Sequence, residues 1–277
     1  MPFCVQSFDI IIDIPNSDIV ISGLDMEFKV KRSINSDADS AEIIIWNLDE
    51  DTYKKLIQKD QPIYLYAKTG NAEAKLLFMG FLDKNHIIRR RTVVTKTNNE
   101  AAPPDIITVL NLIESRLAYD NTYINENYRE PVSAEQIIND CIAAMGLGSV
   151  IIDSQIPEKI YSTFKAIGKP HCVLKEICDS VGLDVVIQNG IIHIGSSKNA
   201  NLEDDIPVFS LANSLEPQYQ NNSEVLLITQ LQSDIYPNKL IKCKFEELDG
   251  VYKVIGVMSE GNNFDTASTT YITIGLE

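Results

Sequence analysis

The spacing of apolar residues over the first 113 positions does most to limit what this chain can fold into. Phe8-Asp9-Ile10-Ile11-Ile12-Asp13-Ile14 is a β-branched run, and Asn16-Ser17-Asp18 is a turn signal before Ile19-Val20-Ile21. Met26-Glu27-Phe28-Lys29-Val30-Lys31-Arg32 alternates apolar and charged side chains, the pattern of a strand with one wet face. Ala41-Glu42-Ile43-Ile44-Ile45-Trp46-Asn47-Leu48 is a further strand. The period then changes, and Asp49 predicts a cap for a short helix through Thr52-Tyr53-Lys54-Lys55-Leu56-Ile57. Strands resume at Ile63 to Ala67 and Lys75 to Leu82. Ile87 to Thr95 and Asp105 to Ile113 flank the polar segment Lys96 to Pro104, which reads as an exposed hairpin tip. Short strands at this spacing predict a barrel or sandwich.

The middle of the chain follows a helical period. Ser133-Ala134-Glu135-Gln136 is a capping box opening an amphipathic helix, Ile137 to Met145, that stops at Gly146. A second helix follows Pro170, carries Val173, Leu174, Ile177, Cys178 and Val181 on one face, and stops at Gly182. The two align at an offset of 36, and each precedes a β-like run, Val150-Ile151-Ile152 or Val185-Val186-Ile187. Asn189-Gly190 predicts a tight hairpin into Ile191-Ile192-His193-Ile194. Residues 121–200 therefore read as a small α+β domain with a degenerate internal repeat.

Strands return after Asn201: Pro207 to Leu211, Val225 to Thr229, Lys239 to Glu246, Val251 to Ser259 and Thr269 to Ile274, with Leu248-Asp249-Gly250 as a hairpin signal. So few strands do not close on their own. The simplest arrangement pairs them with the N-terminal β region, the helical unit being an insertion between the two. A second copy of the chain is the other source of a missing edge.

Charge narrows the function classes. The net charge is −15, with −4 in residues 1–120, −3 in 121–200 and −8 in 201–277. Such acidity argues against wrapping nucleic acid and against docking on anionic lipid. No run of about 18 apolar residues exists, so membrane insertion is not expected. Met1-Pro2-Phe3-Cys4-Val5-Gln6 lacks the start of a signal peptide, which points to a cytoplasmic origin.

Motifs for chemistry are sparse. Cys4, Cys141, Cys172, Cys178 and Cys243 are scattered without a CxxC, so they read as reduced, mostly buried thiols rather than zinc ligands. Cys172 follows His171, with Asp179 seven residues on, but Cys172 opens an apolar helical face and reads as structural. Ser22-Gly23 and Gly195-Ser196-Ser197 do not make a nucleophile elbow, and Gly146-Leu147-Gly148 follows a helix, the wrong context for a dinucleotide site. His86, His171 and His193 stand apart. Asp49-Glu50-Asp51 reads as a helix start and Glu203-Asp204-Asp205 as a linker, neither with EF-hand spacing. No catalytic, cofactor-binding or metal residue is assigned, and no cofactor. Arg89-Arg90-Arg91 is the one basic cluster, read as a wet strand face, or as a contact with phosphate or with an acidic patch on a partner copy. Trp46 is expected in the core.

Three stretches together resemble a known family. The first is Phe28-Lys29-Val30-Lys31-Arg32-Ser33 leading to Ala41 through Leu56, followed by Leu77-Phe78-Met79-Gly80-Phe81-Leu82. The second is Val132-Ser133-Ala134-Glu135-Gln136-Ile137-Ile138 with its helix–Gly-Leu–strand unit. The third is Tyr236-Pro237-Asn238-Lys239-Leu240-Ile241-Lys242 with Gly250-Val251-Tyr252-Lys253-Val254-Ile255-Gly256-Val257. The chain resembles the baseplate hub proteins of contractile-tailed phages, a family that includes the hub-like part of type VI secretion spikes.

The resemblance implies a mainly β chain with an α+β insertion: a first tube-like β-barrel domain at 1–120, the insertion at 121–200 and a second tube-like domain at 201–277. It implies a structural virion component of the tail baseplate, made in the host cytoplasm and without enzymatic activity. Three copies would form a pseudo-sixfold ring joining the hexameric tail tube to a trimeric central spike. The partners implied are the chain itself as a homotrimer, tail tube proteins, a separate spike protein and other baseplate components. Phage DNA would pass through the ring without specific binding, and the acid-rich last quarter suits a lumen that repels phosphate. The competing readings are a cell-wall-degrading or wall-binding tail enzyme and a hexameric tail-tube or adapter protein.

Overall fold

The computed structural model describes residues 3–4, 8–15, 17–34, 39–58, 61–92, 104–114, 122–147, 149–152, 155–195, 206–265 and 267–276. Alternation becomes strand at Met26–Ser33, as the sequence predicts. Met26–Ser33 buries Met26, Phe28, Val30 and Arg32 and turns Glu27, Lys29 and Lys31 outward. Ser40–Trp46 and Ile106–Ile113 continue the same layer antiparallel, with Phe28 opposite Ile43 and Ile43 opposite Leu110. Asp49 Oδ1 accepts from Thr52 N at 2.8 Å, which caps the helix Glu50–Gln58.

Fifteen strands join one large, almost wholly antiparallel sheet. Two β units share it. Strand Met26–Ser33 of the first pairs antiparallel with Asp249–Asn262 of the second, from Glu27 opposite Asn262 to Ser33 opposite Gly256. The few C-terminal strands thus find their missing neighbour within the chain. Asn263 reinforces the seam: its Oδ1 accepts from Met26 N at 2.8 Å and its Nδ2 donates to Leu24 O at 2.7 Å. Each unit keeps its own core, one around Phe8, Phe28, Ile43 and Leu110, the other around Phe209, Val225, Val257 and Ile272. Each fully buried apolar side chain in them contributes about 1.5–3 kcal/mol.

The middle unit is separate in its core and has only short strands of its own. Ser133 Oγ accepts from Gln136 N at 3.1 Å at the start of helix Ala134–Met145, and Gly146 ends it at φ 65°. Helix Pro170–Ser180 packs against it, and Gly182 follows at φ 71°. Asn189 and Gly190 take φ 50° and 77°, so the hairpin between Asp184–Gln188 and Ile191–Gly195 turns as its dipeptide dictates.

Two local expectations shift. The turn before Asp249–Asn262 is Phe245–Leu248, closed by Phe245 N to Leu248 O at 3.0 Å, and Asp249 and Gly250 already belong to the strand. Trp46 is half-buried and meets the exposed Phe264 edge-on at 5.4 Å, because it falls on the outward phase of its strand. The tip Lys96 to Pro103 and the linker Glu203-Asp204-Asp205 lie outside the described residues.

Gly80 marks a close approach. A Cβ there would lie 2.6 Å from Phe78 Cε1 and 3.0 Å from Ile113 O. Gly80→Ala is expected to destabilise the fold by about 1–3 kcal/mol, the range for forcing a methyl into a packed core. A urea unfolding curve reads this directly, and an unchanged midpoint would contradict the packing described.

Candidate functional site

The register of the large sheet sorts its side chains into two faces. On one lie both cores, since Val257, Ile272 and Leu227 share a face with Val30, Ala41 and Leu112. The other face is open. Across it Glu42, Lys29, Glu260 and Thr269 stand in one row, and Ser40, Lys31, Met258, Tyr271 and Ile228 in the next. Lys29 Nζ lies 3.5 Å from Glu260 Oε2, and Tyr271 donates its hydroxyl to Glu260 Oε1 at 2.9 Å. Lys29, Lys31, Ser40, Glu42, His86 and Asn111 border a shallow concavity of about 330 Å³ on this side.

This face carries both signs of charge. Glu27, Glu42 and Glu260 interleave with Lys29 and Lys31. Of the described acids after residue 205, only Glu224, Asp249 and Glu260 lie in strands of the sheet; Glu216, Asp234, Glu246, Glu247 and Asp265 sit in loops and turns. Among the described residues, the acids of the last quarter therefore lie more in loops and turns than in the strands of this sheet.

A second notable cluster joins all three units. Arg32, 5% exposed, donates from Nη2 to Leu77 O at 2.6 Å and to Asn189 Oδ1 at 3.3 Å, and its Nε lies 3.6 Å from Asp39 Oδ2. Asn189 Oδ1 also accepts from Met79 N at 3.0 Å. Glu114, 1% exposed, accepts from Gly190 N through Oε1 at 3.3 Å. The hairpin tip of the middle unit is thus seated on two buried polar side chains of the first unit, Arg32 and Glu114. Lys253 of the second unit holds the same hairpin through Asp184 at 3.0 Å, and His193 lies 5.7 Å from the ring of Tyr236. Burial pushes the Glu114 carboxyl up to about 8, although Arg32 nearby pulls the other way. Burial likewise lowers Arg32, against the opposing pull of Glu114 and Asp39. Desolvation outweighs the attraction between them.

The sequence-level candidates are dispersed. Cys172 is exposed rather than on the apolar face, and its Sγ lies 3.2 Å from Nε2 of His171. Cys141, Cys178 and Cys243 are buried, and burial pushes each thiol up to about 12. His86 bonds Asp83 at 2.6 Å, far in the chain from His171 and His193. Among the described residues, no group of three His, Cys, Asp or Glu side chains could hold a metal ion. No described helix is long and apolar enough to cross a membrane. Arg89 is committed within its own chain: it donates to Leu48 O at 3.1 Å, pairs with Glu50 at 3.1 Å and stacks over Tyr53 at 4.4 Å. Arg90 and Arg91 are exposed.

Arg32 and Glu114 did not stand out as motif residues, yet the sequence carries a signal for both. Each is a charged residue on the apolar phase of a strand, Arg32 after Met26, Phe28 and Val30, and Glu114 after Leu110 and Leu112.

No family model and no curated protein matches the chain. Solved structures do. The 43 kDa tail protein of prophage MuSo2 from Shewanella oneidensis aligns at TM-score 0.66 and 9% identity, over 97% of this chain and 98% of that one. A tail protein from Neisseria meningitidis MC58 aligns at 0.65 and 8%, over 98% and 97%. The E. coli c3393 protein, a type VI secretion component described as similar to the T4 bacteriophage tail proteins gp27 and gp5, aligns at 0.59 and 9%, over 96% and 77%. The chain has the mainly β fold of these phage-tail and spike-related proteins.

The buried carboxyl gives a pH signature. Folded Glu114 keeps its proton up to about 8, whereas an ordinary glutamate releases it near 4.5. The folded state therefore binds more protons between these values. Its contribution to stability is full below about pH 4.5, declines as pH rises and is gone above about 8. Relative to Glu114→Gln, the native chain should lose urea resistance progressively from pH 5 to 8; parallel curves for the two would contradict a buried neutral carboxyl.

Proposed function

We propose that the chain is a structural hub of a phage or phage-derived tail: three copies form a ring of six related β units that joins the tail tube to the central spike. The observation that supports this most is the single sheet shared by two β units, with both cores on one face and an open, mixed-charge face on the other. A sheet of that kind is half of nothing stable by itself at its edges, and a closed ring removes them. The shared fold with tail and spike-related proteins supports the same reading.

In this account residues 1–120 and 201–277 are the two ring units and residues 121–200 stand outside the ring, held by the hairpin at Asn189-Gly190. The open face lines the lumen. Its carboxylates Glu27, Glu42 and Glu260 interleave with Lys29 and Lys31, so phage DNA meets a wall of mixed charge and slides without being gripped. The tail tube, a spike protein and other baseplate components are the partners, and the virion tail is the place of action. No catalytic step is assigned to the chain.

Native mass spectrometry of the purified protein tests the reading. Three copies per particle are expected. Six copies would favour a tube or adapter protein, and a monomer that cleaves cell walls would overturn the structural role.

A further inference from the structure

The hairpin tip of the middle unit plugs a small socket on the first unit. Strand Lys75–Leu82 pairs with Ile106–Ile113 only at Phe81 and Leu82, which leaves the backbone of Leu77 and Met79 open on that edge. Side chains close it: Arg32 Nη2 donates to Leu77 O, and Asn189 Oδ1 accepts from Met79 N. Gly190 sits against the same strand, where a Cβ would run into Met79 Cε. Its amide donates to Glu114 Oε1, while Glu114 Oε2 is buried and has no hydrogen-bond partner among the described residues.

Three ionisable side chains share the socket. Arg32, on Met26–Ser33, and Asp39, at the entry to Ser40–Trp46, are the charged groups that face Glu114 from the first unit. The hairpin faces it with the Asn189 and Gly190 amides. One guanidinium neutralises one carboxylate. With Asp39 ionised, a neutral Glu114 leaves the socket without net charge, whereas an ionised Glu114 adds a charge that has no counterpart and is sealed from water. Burial raises this carboxyl to about 8, against the pull of Arg32 and with the help of Asp39. The hold from the second unit is looser. Lys253 and Asp184 are 25% and 33% exposed in their side chains, and His193 lies 5.7 Å from the Tyr236 ring.

We infer that Glu114 is a proton-operated latch: while it keeps its proton the Asn189-Gly190 tip stays seated, and loss of the proton frees the middle unit from the two β units without unfolding their shared sheet. The lever is the difference in proton binding between two states. Seated, Glu114 is sealed and holds its proton; with the tip withdrawn it meets water and releases the proton near 4.5. Each pH unit between about 4.5 and 8 therefore favours the withdrawn state about ten-fold more. Seating is strongest below about pH 4.5, weakens as pH rises and reaches its floor above about 8. Neither β core nor the seam includes a residue of the middle unit, so the sheet keeps its support when the tip leaves. The latch lies within one chain and needs no second copy.

Hydrogen exchange of the full chain, resolved to single amides and corrected for the intrinsic rise of exchange with pH, tests this. Met79 and Gly190 report the seat, and Phe28 and Val30 report the seam strand. Met79 and Gly190 should be less protected than Phe28 and Val30, and their protection should fall about ten-fold per unit from pH 5.5 to 7.5. In Glu114→Gln, whose side chain stays neutral and still offers Gly190 an oxygen, protection at Met79 and Gly190 should stay level over that range. Asp39→Asn removes the competing charge, so the fall should end at a lower pH than in the native chain. His193→Gln should keep the native slope. The latch is overturned by level protection at Met79 and Gly190 in the native chain, or by protection equal to that of Phe28 and Val30 at every pH. A full slope surviving in Glu114→Gln or Asp39→Asn, or a slope lost with His193, would overturn it too.

Discussion

The structure depends on one seam, the antiparallel pairing of Met26–Ser33 with Asp249–Asn262. It joins segments more than 200 residues apart; the Met26–Asn263 bond that reinforces it spans 237 positions. Without it the second unit would expose the edge of its longest strand, and the first would expose the edge of the strand that carries Phe28 and Val30. With it, two modest cores sit on one side of a common sheet and the other side is free to act as a continuous wall. So distant a contact imposes a folding order: each β unit can form locally, but the seam must wait for the whole chain.

The middle unit is positioned by the same region. Arg32 lies on a seam strand opposite Val257, and from there it reaches the Asn189 turn. Glu114, at the end of a strand of the first unit, accepts from the Gly190 amide of that turn. Buried Arg32 and the protonated Glu114 act here as a locating device, since burial raises the one carboxyl and lowers the guanidinium against their mutual attraction. The half-buried pair Lys253–Asp184 adds orientation from the second unit. One hairpin thus reports the relative position of all three units.

Much of this was legible in the residues. Alternation at Met26 to Arg32, the Asp49 and Ser133 caps, the stops at Gly146 and Gly182, and the Asn189-Gly190 turn are local rules that the fold obeys. The shortage of C-terminal strands pointed to an outside partner for them, and the seam supplies one. Where local reasoning failed, the cause was tertiary. Trp46 follows its strand phase onto the open face, although its size suggested the core. The short strand Gln218–Tyr219 has too few residues to show a period, and its identity as an edge comes only from pairing with Glu224–Thr229. The acidity of residues 201–277 is a sum without direction, and among the described residues five of its eight acids sit in loops and turns. Arg32 and Glu114 broke the apolar phase of their strands, a local conflict of the kind that marks a constrained site.

The central claim is that the open face of the shared sheet lines a ring. Electron cryomicroscopy of the purified assembly tests it most directly. The account predicts three chains around a channel, with Lys29, Lys31, Glu42 and Glu260 on the channel wall and the cores around Phe28 and Val257 behind it. A ring with the cores toward the axis and Lys29 and Glu260 on the outer surface would contradict it.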